Sequence, residues 1–370
     1  MNKIERKRIG LGIIGAGRVG QIRGEIAARF PQVDWIGVAD IKPERAALVA
    51  EKVGADFVTH DYQQLLARSE LTAVIISTDE HLHVEPILAA VDRGVAMMIE
   101  KPLATTLDDS ARVLKAIEEK NIDAVVGYTQ RFRQRWLVAK EKVSTGQLGQ
   151  VSMVTSRGFM NKLVALDNYR RTSDPRLISP MVISGTHALD VVMWIMSERT
   201  PAEVYARSVD MTLGPECSGI DGTAGLITMD DGSLYHLSIS WALPKVWPGA
   251  VYSLEVGIIG TEGVLTIDDT HRDIVLAVEK PQSEGYAPDQ GRLVDFIGSY
   301  PPGSMALGEL RGPMREETIS WLLRLSTGLP THHATAAQAH NRLMLSKALD
   351  LSAKRKAPVQ VPIFTDQELE

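Results

Sequence analysis

The chain has 370 residues, 44% of them hydrophobic and 23% charged, with a formal net charge of −6. That length exceeds what one hydrophobic core supports and predicts two domains, while the acidic balance gives no electrostatic footprint for nucleic acid or an anionic membrane. Cys217 is the only cysteine, so an intrachain disulfide or a cysteine-rich metal site is excluded; the apolar runs are too short for a membrane span and the polar opening lacks a signal-peptide core, which predicts a cytoplasmic protein.

Residues 9–14 form an apolar run that breaks into Gly15-x-Gly17-x-x-Gly20. A second apolar run, Trp35-Ile36-Gly37-Val38-Ala39, ends on Asp40, twenty residues past Gly20. Strand, glycine turn, helix and spaced acid together predict a dinucleotide site. Gly15 permits the tight turn, Gly17 lets backbone approach a pyrophosphate, and Gly20 lets helix and strand pack closely. Backbone N–H groups at the start of that helix then face phosphate oxygens. Asp40 accepts from ribose hydroxyls and repels a 2′-phosphate, which favours NAD over NADP; Lys42 and Arg45 lie near enough to soften that preference.

Strand patterns recur at 34–39, 73–77, 95–99 and 123–127, separated by helical patterns at 18–29, 43–53, 61–68, 83–93 and 107–120. This order predicts a parallel sheet covered by helices on both faces. Thr105 or Thr106, with Asp108 or Asp109 three residues on, predicts a capped start for the helix ending near Lys120. Beyond residue 128 the pattern changes. A helix at 134–145 and a strand at 150–158 lead to a basic, irregular stretch at 161–178 and a helix at 180–196. Alternating strands follow at 202–211, 221–230, 233–241, 251–259 and 263–268, then helices at 292–299, 314–326 and 335–353. The predicted domains are 1–128 and 129–370, with the helix 335–353 available to pack back toward the first.

Two segments carry candidate chemistry. The strand 95–99 ends in Glu100-Lys101-Pro102, an ionisable pair at the carboxyl edge of a parallel sheet, where open α/β sheets bind ligands. Proline restricts the lysine backbone to extended geometry. In Gly185-Thr186-His187-Ala188-Leu189-Asp190, a helix puts Asp190 within reach of His187, an arrangement suited to proton transfer and equally to a buried structural histidine.

In order and spacing, Gly15-x-Gly17-x-x-Gly20, Asp40, Ser77-Thr78…His83, Glu100-Lys101-Pro102 and Gly185-x-His187-x-x-Asp190 resemble the glucose–fructose oxidoreductase/inositol dehydrogenase/MocA family, from residue 8 to about 350. The resemblance implies an α/β fold: a Rossmann domain followed by an α+β domain with a large, mainly antiparallel open sheet, one face of which often forms a homodimer or homotetramer contact. It implies Lys101 as catalytic lysine, His187 as acid/base, and Gly15, Ala16, Gly17, Arg18, Val19, Asp40, Ser77, Thr78, His83, Glu100, Lys101 and Gln130 lining the cofactor. Ile183 stands where many members carry an aspartate, a departure from the inositol dehydrogenases proper. Asp190 is usually structural in the family.

Arg157, Lys162, Arg170, Arg171 and Arg176 cluster before the His187 helix. Guanidinium groups pair bidentately with carboxylates, so Arg170, Arg171 and Arg176 are candidates for binding an anionic, sugar-like substrate beside Lys101 and His187; a solvated basic loop is the competing reading. Phe132, Trp136, Trp241 and Trp247 read as packing residues. His332, His333 and His340 lack carboxylates at ligand spacing, so no metal is expected. The leading expectation is an NAD-dependent oxidoreductase acting on a secondary alcohol or ketone of a sugar or polyol. An NAD-dependent glycosidase working by transient ring oxidation and a trans-dihydrodiol dehydrogenase stand as alternatives. A nucleotide-sensing regulator has no need of Lys101 and His187 together.

Overall fold

The computed structural model describes residues 6–172, 174–197, 199–214, 219–249, 251–268, 274–282, 292–297 and 302–369. Cys217 and the side chains of Arg171 and Arg176 lie outside the described residues. The chain divides into two compact units. One comprises the described residues up to Phe132 together with Leu307–His340; the other runs from Arg133 to Ala306 and resumes at Asn341.

The first unit holds a six-stranded parallel sheet built from β1 (Ile9–Ile14), β2 (Val33–Ala39), β3 (Phe57–Thr59), β4 (Ala73–Ile76), β5 (Ala96–Ile99) and β6 (Ala124–Val126). Its order is β3-β2-β1-β4-β5-β6, the doubly wound arrangement. The helices are α1 (Arg18–Ala27), α2 (Pro43–Val53), α3 (Tyr62–Leu66), α4 (Val84–Arg93) and α5 (Leu107–Glu119). Thr106 is the cap of α5, its hydroxyl accepting from the Asp109 N–H at 3.2 Å. Side chains alternate between the two faces, as strands require. Ile9, Leu11, Ala73, Ile75 and Met98 join Ala27, Trp321 and Leu322 on one side. Ile14, Val74, Ile76, Met97 and Ile99 join Leu65, Ile87 and Val113 on the other. Trp321 and Leu322 come from the helix Pro313–Thr327, so a late segment of the chain covers the first sheet.

The second unit is a mixed sheet built on β7 (Val151–Asn161), β8 (Pro201–Val209), β9 (Gly222–Met229), β10 (Leu234–Leu243), β11 (Val251–Gly260) and β12 (Val264–Ile267). With the short strand Val359–Gln360 it is seven-stranded, in the order β12-β11-β7-β10-β9-β8 and then that strand. It is antiparallel except where β7 and β10 run parallel, because the chain leaves β7 through helices before returning. Those helices are α7 (Lys162–Arg171) and α8 (Thr186–Ile195); α6 (Gln134–Ser144) precedes the sheet.

Two expected elements are corrected. The stretch 161–178, read as irregular, contains α7: the Asn161 side chain accepts from the Leu163 N–H at 2.9 Å and caps a segment free of glycine and proline. The helix expected at 292–299 is instead a strand, Arg292–Ile297, paired antiparallel with Ile274–Gln282. A short run rich in β-branched and aromatic residues pairs readily once a partner lies alongside. Among the described residues no helix is long and apolar enough to cross a membrane.

Candidate active site

The dinucleotide motif forms one connected structure in the first unit. Gly15 sits at φ +96°, and a Cβ there would lie 2.6 Å from the Ser77 and Thr78 backbone. A Cβ on Gly20 would lie 2.0 Å from the Gly15 carbonyl oxygen. Both positions therefore require glycine for close approach. Ser77 Oγ donates to that same carbonyl at 2.8 Å and ties β4 to the loop. Asp40 is drawn against the loop as well: its carboxylate accepts from the Ala16 N–H at 2.7 Å and from the Lys42 N–H at 2.8 Å. Each oxygen keeps a further lone pair for an outside hydroxyl.

These residues fit a nucleotide. Gly17 caps α1 with no side-chain hydrogen bond and with no acid in the first turn, so the helix start remains open to an anion. A Cβ on Gly17 would meet nothing within 4 Å, so backbone alone faces open space there. Thr78 Oγ1 and Gln130 Oε1 are buried oxygens without a hydrogen-bond partner, and Gln130 is only 4% exposed. Buried polar atoms are ordinarily satisfied, so orphans at the carboxyl edge of this sheet point to a polar ligand.

Glu100 and His83 are engaged by protein. The buried His83 ring places Nδ1 2.9 Å from the Pro102 carbonyl and Nε2 3.1 Å from the Thr78 carbonyl. Glu100 accepts from Arg23 Nε at 2.6 Å. Arg23 also donates to Thr318 Oγ1 at 2.8 Å and to Glu317 Oε2 at 2.7 Å, which Thr129 reaches at 2.9 Å. Burial alone would lower the Arg23 pKa, but Glu100 and Glu317 override it and hold the guanidinium firmly charged. Burial pushes Glu317 up, with Arg23 pulling against it and Glu100 adding to the rise. Sequence reasoning passed over this cluster, although an arginine on the same face of α1 as Gly20 and Ala27 is a signal. His333, pushed down to about 3 chiefly by burial, is neutral and contacts the Glu317 carbonyl through Nε2 at 3.1 Å. Nδ1 of His340 pairs with Ser110 Oγ at 2.9 Å.

His187 belongs to the second unit, in the first turn of α8. A wide π-helical turn, Met181–Gly185, feeds that helix, and such turns recur at functional sites. Three polar links hold the segment. Trp241 Nε1 donates to Ser184 Oγ at 2.8 Å, Ser179 Oγ donates to Asp350 Oδ2 at 2.6 Å, and Arg342 Nε donates to Asp190 Oδ1 at 3.4 Å. Asp190 is thus part of the support of α8. Ile183 is 7% exposed in the wide turn. Arg170 is exposed on α7, and Arg157 lies on β7, paired with Glu255 at 2.6 and 2.8 Å, which removes it from the basic cluster. Trp241 is fully buried against Tyr169, edge to face at 6.1 Å between centroids.

Asp350 carries a pH dependence. Burial pushes its carboxyl from 3.8 to about 6, with Ser179 and Lys347 opposing. Between those values the folded chain binds more protons than the unfolded one, so this group's contribution to stability falls as pH rises through the window. Asn does not titrate. Asp350→Asn is therefore expected to gain stability relative to the parent by about 3 kcal/mol between pH 3.5 and pH 7. Urea midpoints at the two pH values check this; a constant difference contradicts it.

Residues 9–128 match the family described as "Oxidoreductase family, NAD-binding Rossmann fold", and residues 136–266 match the GFO/IDH/MocA C-terminal domain. The inositol 2-dehydrogenase of Rubrobacter xylanophilus is 28% identical over 308 residues, 80% of this chain and 81% of that protein. The 2,7-anhydro-N-acetylneuraminate hydratase of Mediterraneibacter gnavus is 25% identical over 312 residues, 82% of this chain and 80% of that protein. The crystal structure of Lactobacillus casei scyllo-inositol dehydrogenase with NAD(H) and scyllo-inositol superposes with a TM-score of 0.73 at 18% identity, covering 96% of this chain and 99% of that one. With matches spread across both parts of the chain, this protein belongs to the GFO/IDH/MocA oxidoreductase family, and its first domain is an NAD-binding Rossmann fold.

Proposed function

We propose that the protein interconverts a secondary alcohol and a ketone on a sugar, polyol or related cyclic substrate, with Lys101 and His187 acting on one substrate oxygen. The observation that carries this reading is the emergence of Lys101 at the carboxyl edge of the sheet that bears the nucleotide loop, directly after β5. Residues 15–19 would hold the phosphates of NAD, Asp40 its ribose, and Ser77, Thr78 and Gln130 its remaining polar edge. Bound NAD supplies a hydride acceptor. The Lys101 ammonium donates a hydrogen bond to the substrate oxygen and stabilises negative charge as it develops there. His187 takes the hydroxyl proton, the oxygen lone pair becomes the second bond of the carbonyl, and the carbon gives up its hydride. In reverse, His187 returns the proton to the oxygen.

A redox-neutral variant uses the same first step and then eliminates, hydrates and reduces back. Similarity to a protein named as an anhydro-sugar hydratase supports this variant. One panel separates the two. Inositols, sugar acids and glycosides are tested with NAD⁺ and NADP⁺, following NADH at 340 nm and aglycone release. Net NADH formation with a polyol or sugar acid is the expected result. Aglycone release without an absorbance change supports the redox-neutral reading, and inactivity across the panel contradicts both. For a carboxylated substrate, Arg170→Ala, Arg171→Ala and Arg176→Ala should each raise KM about tenfold, the scale of one lost charge-assisted hydrogen bond. Unchanged KM in all three removes the anionic assignment.

A further inference from the structure

The structure pins the chain on both sides of Lys101. On one side the Glu100 N–H donates to the Ile76 carbonyl at 2.9 Å, and the Glu100 carboxylate is gripped by Arg23 at 2.6 Å. On the other side the Pro102 carbonyl meets His83 Nδ1 at 2.9 Å. Arg23 is anchored in turn by Glu317 and Thr318, and all three are fully buried. Gly127 leaves the cluster its space: a Cβ there would lie 3.0 Å from Arg23 Nη2 and 3.1 Å from Glu100 Oε1.

A buried charge cluster is a poor stabiliser, because desolvation consumes most of the attraction and apolar packing serves as well. A guanidinium fork does something apolar packing does not. Here it holds one carboxylate oxygen, Glu100 Oε1, through Nε and Nη2 at once, each at 2.6 Å, and so fixes where that oxygen sits. We propose that Arg23, held by Glu317, is a positioning residue for the reaction: it orients Glu100 and thereby the backbone from which the Lys101 amine reaches the substrate oxygen. This rests on the reading of Lys101 given above. The competing role is charge neutralisation alone, in which Arg23 only keeps Glu100 and Glu317 from repelling each other.

The variants Arg23→Lys and Arg23→Gln/Glu317→Gln separate the two roles. In the double variant the repulsion is gone but so is the fork. Lysines are reductively methylated with ¹³C-formaldehyde in the full-length protein without cofactor, and the Lys101 signal is assigned by its loss in Lys101→Arg. The parent is expected to show a Lys101 line resolved from the exposed lysines. In the double variant Tm should return to within a few degrees of the parent while the Lys101 line collapses into the exposed-lysine envelope. Turnover should fall about 10²-fold, the scale of a displaced catalytic group, with KM for NAD⁺ changed less than about threefold. Arg23→Lys, charged but without the fork, should restore Tm and neither the line nor kcat. A parent-like Lys101 line in the double variant, or a parent line already within the envelope, overturns the proposal. Recovery of kcat to within about threefold in the double variant also overturns it. If Lys101→Arg keeps full turnover while the double variant loses the line as described, the functional reading fails and the positioning of the lysine stands.

Discussion

Lys101→Ala is expected to lower kcat by about 10³-fold while changing the Kd for NADH by less than about fivefold. The reason is the division of labour in the first unit. In the proposed site the nucleotide would be held by backbone around Gly15 and Gly17, by Asp40 and by the orphaned oxygens of Thr78 and Gln130, none of which needs the lysine. In the proposed reaction the amine instead stabilises charge that appears only as the alcohol is oxidised, and loss of such a group costs kcat before binding. Lys101→Arg should not rescue, because a guanidinium presents a wider, planar set of donors in place of a point charge. His187→Gln should cost about 10²- to 10⁴-fold, the range for a general acid or base. Single-turnover kinetics with NADH titration measure both parameters. Full turnover in Lys101→Ala would sink the assignment, whatever NADH affinity remained.

Arg342→Met is expected to destabilise the second unit by about 3–5 kcal/mol, the cost of breaking a buried ion pair from one side. Arg342 is 1% exposed and Asp190 0% exposed, so the aspartate left behind has no water to replace its partner. The double variant Arg342→Met/Asp190→Leu should recover most of the loss, because it removes both charges and leaves packing in their place. Urea unfolding of the parent, both single variants and the double variant gives the cycle directly. Equal stability of the Arg342→Met variant and the parent would show that the pair supports nothing. The consequence reaches function through α8: Asp190 follows His187 by three residues on the same helix, so the pair that holds Asp190 also holds the histidine's register.

Much of the first unit was legible because its signals are local. A turn that demands positive φ at Gly15, a glycine that admits the Gly15 carbonyl at position 20, and an acid at the end of the next strand are all written within a short stretch of chain. The alternating strands of the second sheet were legible for the same reason, through side chains that face opposite sides. The helix α7 was hidden because the basic, polar stretch 161–178 around it reads as a loop, while its real marker is a single capping residue, Asn161. The strand at 292–297 was hidden because a short apolar run has no intrinsic preference strong enough to outweigh its partner.

The sequence by itself determined the parallel βα order, the glycine loop, Asp40 as its acid, and the presence of a lysine directly after a strand and of a histidine on a helix. Each follows from backbone sterics or periodicity within a few residues. Only the tertiary structure decided that Leu307–His340 joins the first unit, and that Glu317 meets Arg23 across 294 residues. It also decided that Asp190 answers to Arg342 and Ser179 to Asp350. A buried charge takes whichever partner the packing of distant segments brings within hydrogen-bond reach, and no local rule of spacing encodes that choice.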